Sequence, residues 1–404
     1  MSVSRRSFLA RSLALGCSAA ASPLLTPVTL AAAPWDNRLV VIVLRGGMDG
    51  LGVVQPYGEA EFTAWRGKPD VGGTNGSSDL DGRFAMHAAL GPLQPLWRAG
   101  QLGFAHAVST PYRDKRSHFD GQDILETGTA GLDGTRDGWL NRLLQVANAD
   151  DPHTAYAVGH ESPVLLSGKA PYSSWSPDVD LEMSPQARAL AEIIMSGDPA
   201  FEAALREALD LAGRDGDPVV PDMANGGMVG MMADTGKGRK RGHKAVARFA
   251  GQQLAGPARI ATFSLSGWDT HQRQEPALAR ALSRLADVLL VLKEELGVAW
   301  DRTAVLAVTE FGRTVQLNGT KGTDHGTGGA MVYAGGALNG GRVVADWPGL
   351  SERDLYKGRD LMPTRDLRAH AAWVIRDLFG VSVDDLERVV FPGLDMGSRS
   401  GLLT

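Results

Sequence analysis

The chain alternates between short apolar runs and longer stretches with helical spacing of apolar positions. Residues 38–45 are apolar and β-branched almost throughout, which is typical of a parallel strand buried on both faces. Further strands are predicted at 102–108, 155–158, 259–264, 303–309 and 330–334, and helices at 90–99, 117–127, 185–212, 277–296 and 365–379. Leucines recur every three or four residues through 277–296, between two of these strands. The pattern predicts the α/β class, and the strand–helix–strand unit at 259–309 implies two parallel strands joined by a right-handed crossover.

One long segment interrupts this alternation. Residues 214–244 are dense in Gly, Asp, Pro and Met and become basic at 237–241. We interpret the segment as a loop, either a solvated excursion or a lid that attracts an anionic substrate.

The N-terminus has the layout of an export signal. Arg5 and Arg6 precede Phe8-Leu9, an apolar run extends to about Leu30, and Ala31-Ala32-Ala33 follows. A twin arginine in this context is typical of the bacterial Tat signal. We therefore predict a signal peptide at 1–33, a single domain at 34–404, the Tat machinery as a partner, and a periplasmic or secreted protein.

Charge and cysteine content narrow the functional classes. The formal net charge is −5, and removing the three arginines of the signal lowers it to −8, which argues against nucleic-acid binding. After the signal, no run approaches the ~20 apolar residues needed to span a membrane. Cys17 is the only cysteine and lies in the signal, so disulfides and thiol catalysis are excluded for the remaining chain.

Acidic and imidazole side chains follow the predicted strands. They are Asp49, Asp269, His271, Glu310, Asp324 and His325. The carboxyl ends of parallel strands meet at one edge of a sheet, where these groups would suit Zn²⁺ or Mn²⁺. A lone Asp at a strand end more commonly caps a helix or shapes a turn. His370 shares helical register with Leu367 and Val374, so we predict that it is buried in the core.

A second segment offers a nucleophile. Ser117 stands at the N-terminus of a predicted helix, whose dipole would lower the pKa of its hydroxyl. The basic residues Arg113, Lys115 and Arg116 could bind an anion there. The plainer alternative is that Ser117 is an N-cap in a solvated basic turn.

These motifs together resemble a family. The sequence resembles a widespread, uncharacterised bacterial family of Tat-exported proteins grouped with the alkaline phosphatase and sulfatase superfamily. The resemblance rests on Asp49 after the first strand and on the motifs Ser117-His118-Phe119-Asp120, Trp268-Asp269-Thr270-His271, Glu310-Phe311-Gly312-Arg313 and Asp324-His325-Gly326. It implies an alkaline-phosphatase-like three-layer sandwich, with a mostly parallel central sheet flanked by helices and a metal-assisted Ser or Thr nucleophile.

The resemblance implies a set of metal ligands that departs from the superfamily's pattern at several positions. Asp269 and His271 are similar to the Asp and His of the first metal site, although they stand two residues apart instead of four. Glu310 takes the place of the strand-end acid, but Phe311 cannot bind a metal, and His325 fits the last ligand. In the alternative register, Asp324 and His325 form the usual Asp-His pair; the preceding helix and strand favour the first register.

The resulting hypothesis is a metal-dependent hydrolase of phosphate or sulfate esters, acting on an anionic small molecule or polymer. Its candidate catalytic residues are Ser117, His118 and Arg313, and its candidate metal ligands are Asp49, Asp269, His271, Glu310 and His325. The metal is zinc, or alternatively manganese or calcium, at one site in preference to two. Arg313 and Arg116 would clamp substrate oxygens. The alternatives are a catalytically degenerate member that serves as an envelope binding or assembly protein, and a phosphomutase-like or transferase-like enzyme.

Overall fold

The computed structural model describes residues 35–159, 164–177 and 242–403. Its strands are β1 Arg38–Arg45, β2 Val54–Gln55, β3 Ser78–Asp79, β4 Ala85–Met86, β5 Leu102–Ser109, β6 Ala155–Val158, β7 Ser173–Trp175, β8 Ile260–Ser266, β9 Thr303–Val308, β10 Gly329–Ala334, β11 Val343–Val344 and β12 Arg365–Asp366. Its α-helices are α1 Gly50–Val53, α2 Ala60–Arg66, α3 Gln94–Arg98, α4 His118–Thr127, α5 Trp139–Val146, α6 Gly242–Ala255, α7 Gln274–Leu296, α8 Leu367–Phe379 and α9 Val383–Asp385.

A central sheet contains most of these strands. Within the described ranges its order is β11-β5-β10-β9-β1-β8-β6-β7, with β12 beside β5. β1 lies between β8 and β9 and is parallel to both, so that Val41 is paired with Thr262 and Leu306. β10 is antiparallel to both of its neighbours, β5 and β9. The predicted mostly parallel sheet is thus confirmed, with β10 running against the rest.

The two faces of the sheet pack against different helices. Along β1, Val40 and Ile42 point into a core shared with α6 and α7, whereas Leu39 and Val41 point into a core shared with α5 and α8. All four side chains have no exposed surface. Successive side chains alternate between the faces of a strand, so an unbroken apolar run needs a cover on both sides. This arrangement is the predicted three-layer α/β fold.

Several predicted bounds change. The helix predicted at 90–99 is a 3₁₀ segment, Ala88–Leu93, followed by α3, and α7 begins at Gln274 instead of residue 277. The predicted loop 214–244 is wrong at its end, because 242–244 form the first turn of α6. That helix continues because Ala247, Ala250 and Leu254 recur at helical spacing and are buried. Residues 214–241, the predicted helix 185–212 and the predicted signal 1–33 lie outside the described residues.

One edge of the sheet collects the candidate residues. β1, β8 and β9 all end at this edge, and β5 ends there too, because it and β9 both run antiparallel to β10. β10 begins there, since it runs the opposite way. The loops that follow β1, β5, β8 and β9 therefore meet the loop that precedes β10. None of the described helices is long and apolar enough to cross a membrane.

Candidate metal centre

Three side chains from distant parts of the chain could hold a metal ion together. His118 is the first residue of α4, Asp269 follows β8, and His325 precedes β10. One ligand atom from each lies within 4.8 Å of those from the other two. We call His118, Asp269 and His325 the cluster. Imidazole nitrogen and carboxylate oxygen at such spacing match the donor set of zinc.

Each histidine at this edge is oriented by an oxygen that binds its Nδ1. His118 Nδ1 lies 2.8 Å from Glu310 Oε1, and His325 Nδ1 lies 2.8 Å from the backbone oxygen of Arg116. His271, beside the cluster, places Nδ1 3.2 Å from Asp324 Oδ1. These oxygens accept hydrogen bonds, so a neutral ring carries its proton on Nδ1 and a lone pair on Nε2. Metal-binding histidines are typically held in this way.

The Nε2 atoms then converge on Asp269. Those of His271 and His325 lie 3.1 and 3.5 Å from Asp269 Oδ1, and that of His118 lies 3.4 Å from Oδ2. His118 Nε2 is buried and makes no hydrogen bond among the described residues. The Nε2 atoms of His271 and His325 are only 2.9 Å apart. Two lone pairs at this distance repel unless a cation or a proton lies between them, so the residues fit a bound metal ion.

Electrostatics favour charged groups around this point. The hydrogen bond to Glu310 raises the pKa of His118. Burial raises the pKa of Glu310, but hydrogen bonds from His118, Gln122 and Gly46 outweigh it and hold the pKa below its ordinary value. Burial likewise raises the pKa of Asp269, but the hydrogen bond from Arg313 and the charges of Arg313, His118 and His271 together outweigh it, so this pKa is also lowered. Both carboxylates are therefore ionised at neutral pH and attract a cation.

Arg313 lies beneath the cluster instead of facing a substrate. It is 1% exposed and donates to the backbone oxygens of Gly47, at 2.6 Å, and Thr323, at 3.0 Å. It also donates to the backbone oxygens of Gly46 and Trp268 and, at 2.6 Å, to Asp269 Oδ1. The predicted substrate clamp is therefore corrected to a positioning role, because the side chain is enclosed by the three loops it binds.

Close backbone contacts hold those loops together. Gly46 has a φ of +123°, and a Cβ there would lie 2.5 Å from the backbone nitrogen of Asp269. A Cβ on Gly312 would collide with the backbone oxygen of Gly328. Glycine is required at both positions because no side chain fits between these loop backbones. These contacts bring Asp269 against the loop after β1, and the segment before β10 against the loop after β9.

Two predicted residues lie in other surroundings. Asp49 is 1% exposed and receives hydrogen bonds from Arg66, at 2.7 and 3.3 Å, and from Gln274. Its carboxylate is thus engaged by a cation and an amide, which explains why it does not join the cluster. Ser117 is the N-cap of α4, and its Oγ accepts a hydrogen bond from the backbone nitrogen of Asp120 at 3.3 Å.

Two acids have supporting roles that the sequence did not predict. Glu310, predicted as a metal ligand, lies behind His118, and Asp324, predicted only as part of an alternative Asp-His metal pair, orients His271. The repeated pairing of an acid and a histidine within the motifs could have pointed to these partnerships. Phe311, 3% exposed, packs against Tyr112 and His325 as an apolar wall of the site.

Two solved structures are distantly similar to this chain. The lipoteichoic acid synthase LtaP from Listeria monocytogenes is 10% identical, with a TM-score of 0.31, over 70% of this chain and 57% of that one. Ps i-CgsB, solved in complex with k-i-k-neocarrahexaose, is 12% identical, with a TM-score of 0.35, over 77% of this chain and 68% of that one. The chain thus spans little more than half the length of the first of these structures. No curated protein matches. The family described as "Protein of unknown function (DUF1501)" matches residues 97–371, and the chain belongs to this family.

Proposed function

We propose that the protein is a metal-dependent hydrolase of phosphate or sulfate esters. The observation that carries the proposal is the cluster of His118, Asp269 and His325, whose ligand atoms lie within 4.8 Å of one another. Acceptor oxygens fix both histidine rings, so the geometry is organised before any ion binds. The resemblance to the alkaline phosphatase superfamily supports the same class of reaction.

The chain's own residues divide the work. His118, Asp269 and His325 would hold the ion, and His271 lies close enough to Asp269 and His325 to complete the ligand set. A bound divalent cation would supply Lewis acidity to the ester oxygen. Arg313 keeps Asp269 ionised and in place, and Glu310 orients the His118 ring through its Nδ1. Asp49, which is tied to Arg66, supports one metal site in preference to two.

Ser117 is the proposed nucleophile. It directly precedes His118. Its Oγ accepts from the backbone nitrogen of Asp120 and donates to no acceptor in the described parts of the chain, so its own proton remains available for transfer. It also stands at the positive end of a helix, which favours the ionised oxygen.

The experiment is metal analysis of the purified protein together with an activity assay. We expect about one equivalent of zinc or another divalent metal and hydrolysis of 4-nitrophenyl phosphate or 4-nitrophenyl sulfate. The variant His325→Gln should lose both, whereas His243→Gln, remote in sequence and bonded to Asp287, should keep both. A wild-type protein that neither contains metal nor takes it up on soaking would refute the proposal.

The proposed location is the periplasm or the extracellular space, reached through the Tat machinery. The twin arginine at Arg5 and Arg6 motivates it. Replacing both by lysine should retain the protein inside the cell, as measured by fractionation. Equal export of wild type and variant would contradict this route.

A second candidate is a degenerate member of the superfamily with an envelope binding or assembly role. It is favoured by Phe311, which packs where the superfamily would place a histidine ligand. Alanine at both His271 and His325 separates the two candidates. Survival of the biological phenotype in a normally folded double variant would favour the binding role, and loss of the phenotype would favour the hydrolase.

A further inference from the structure

A small cavity lies directly beside His325. Its volume is about 150 Å³, and it opens between the turn that carries Asp114 and Arg116 and the segment 356–360. Gly326 and Thr327, the two residues after His325, form part of its wall. The cavity therefore adjoins the cluster through the backbone of a candidate ligand.

Two of the residues that line the cavity also form hydrogen bonds with His325. The backbone oxygen of Arg116 accepts from His325 Nδ1 at 2.8 Å, and Arg359 Nη2 donates to the backbone oxygen of His325 at 2.9 Å. Residues that line the cavity thus set the position of the His325 ring. A group bound in the cavity would lie next to any ester held at the cluster.

The charges in the cavity leave one cation unpaired. Asp114 forms an ion pair with Lys357, at 2.7 Å. Asp360 is 3% exposed, pairs with Arg359 at 2.8 Å and accepts from Thr327 at 2.9 Å. Both acids are therefore engaged.

Arg116 is the remaining cation. Its backbone oxygen is used, but its guanidinium has no hydrogen-bond or ion-pair partner anywhere in the described ranges. The guanidinium is a planar donor that recognises phosphate, sulfate and carboxylate groups in a bidentate manner. Tyr356 adds a phenol to the same wall.

We propose that this cavity is an anion subsite that binds a second negatively charged group of the substrate, with Arg116 as its principal contact. The substrate class follows, and this step rests on the proposed function. The ester would carry another phosphate, sulfate or carboxylate close to the one that is cleaved, as in a polyanionic polymer. A simple monoester would fill the cluster alone.

The test measures anion binding in the cavity apart from the metal centre. Sodium sulfate is titrated by calorimetry into the variant His271→Gln at constant ionic strength, which isolates the cavity because metal binding is impaired. We expect saturable binding that weakens about tenfold or more when Arg116→Gln is added, since a charge-assisted bidentate contact is lost. Arg116 is exposed, so folding should be unaffected.

The matched control is Arg388→Gln in the same background. Arg388 is a surface arginine whose side chain is 78% exposed and pairs only with Asp384 at 2.7 Å among the described residues. Its removal should leave sulfate affinity unchanged. Absent saturable binding, or an equal affinity with and without Arg116, would overturn the subsite.

The two proposals can fail separately. Sulfate binding that depends on Arg116, in a wild-type protein that binds no metal, would leave the subsite standing and remove the hydrolase. Normal metal content, together with a sulfate affinity that Arg116→Gln does not change, would refute only the subsite.

Discussion

Each histidine at the site is oriented by its own oxygen acceptor. Glu310 does so for His118, Asp324 for His271 and the backbone of Arg116 for His325. These acceptors differ in burial, because the Glu310 side chain has no exposed surface whereas that of Asp324 is 53% exposed. A hydrogen bond shielded from water is electrostatically stronger, so Glu310 should matter most.

Replacing Glu310 by glutamine tests that ranking. The amide keeps the volume but removes the charge that orients His118 and raises its basicity. We expect Glu310→Gln to weaken zinc affinity by about 10- to 100-fold, the usual effect of losing such a partner. The measurement is competition against a chromogenic chelator. The surface variant Glu352→Gln should match wild type, and unchanged affinity in Glu310→Gln would contradict the assigned role.

His370 predicts a dependence of stability on pH. It is 1% exposed on α8, and burial lowers its pKa from 6.5 to about 3. Between these values the unfolded chain binds a proton that the folded protein excludes, so the free energy of unfolding decreases as pH falls from 6.5 towards 3.

The variant His370→Leu removes this contribution. The slope of unfolding free energy against pH should then be shallower by up to about 1.4 kcal/mol per pH unit. Urea unfolding at several pH values between 4 and 7 measures it. Parallel pH profiles for wild type and variant would contradict the prediction.

Helix α4 has two functions at its first turn. Its N-cap, Ser117, satisfies a backbone donor, and its first residue, His118, enters the cluster. The cap therefore fixes the start of the helix, and with it the position of His118, whose imidazole ring enters the cluster. Stability and chemistry are coupled at one residue, and two substitutions separate them.

Ser117→Ala removes both cap and hydroxyl, whereas Ser117→Asn keeps a capping oxygen without a nucleophile. We expect the alanine variant to lose about 1 kcal/mol of stability and the asparagine variant to lose little. If Ser117 is the nucleophile, both lose ester hydrolysis. Urea unfolding and turnover of 4-nitrophenyl phosphate measure the two effects, and an active Ser117→Asn would exclude the nucleophile.

The strands could be predicted because each is a local apolar run. β1, β5 and β9 match within a residue or two, since a strand covered on both faces must be apolar along its whole length. The direction of β10 was not predicted. β9 precedes it directly along the chain, but its other neighbour in the sheet, β5, lies more than 200 residues earlier, and no local pattern encodes that pairing.

The candidate site was predictable only in part for a similar reason. Asp269, His271 and His325 stand out within short motifs. The partnership of His118 with Glu310 spans 192 positions, and no local spacing encodes it. The ion pair of Asp49 with Arg66 is closer in sequence, but it depends on the tertiary packing of α2, whose Phe62 shares a core cluster with Leu51.

At the level of the whole molecule, the cluster joins three segments that lie far apart along the chain. A ligand that binds only the folded state adds stability in proportion to the logarithm of its concentration over Kd. Zinc at about 100 times Kd should contribute about 2.7 kcal/mol and raise Tm by about 5 °C. Differential scanning calorimetry measures the rise. His325→Gln should lose it, and an equal rise in this variant would locate the bound zinc elsewhere.

The position of the antiparallel strand β10 has a consequence for the order in which the sheet assembles during synthesis. In the described chain, β5 pairs only with β10, β11 and β12, all of which are translated more than 200 residues later. A nascent chain can therefore pair β1 with β8 and β9 while β5, and the turn that leads to His118, still has no place in the sheet. Only the arrival of β10 inserts β5 beside the others. We therefore expect the site to assemble only after β10 has been synthesised. In a nascent chain stalled on the ribosome before residue 329, the metal-ligating residues should still be apart.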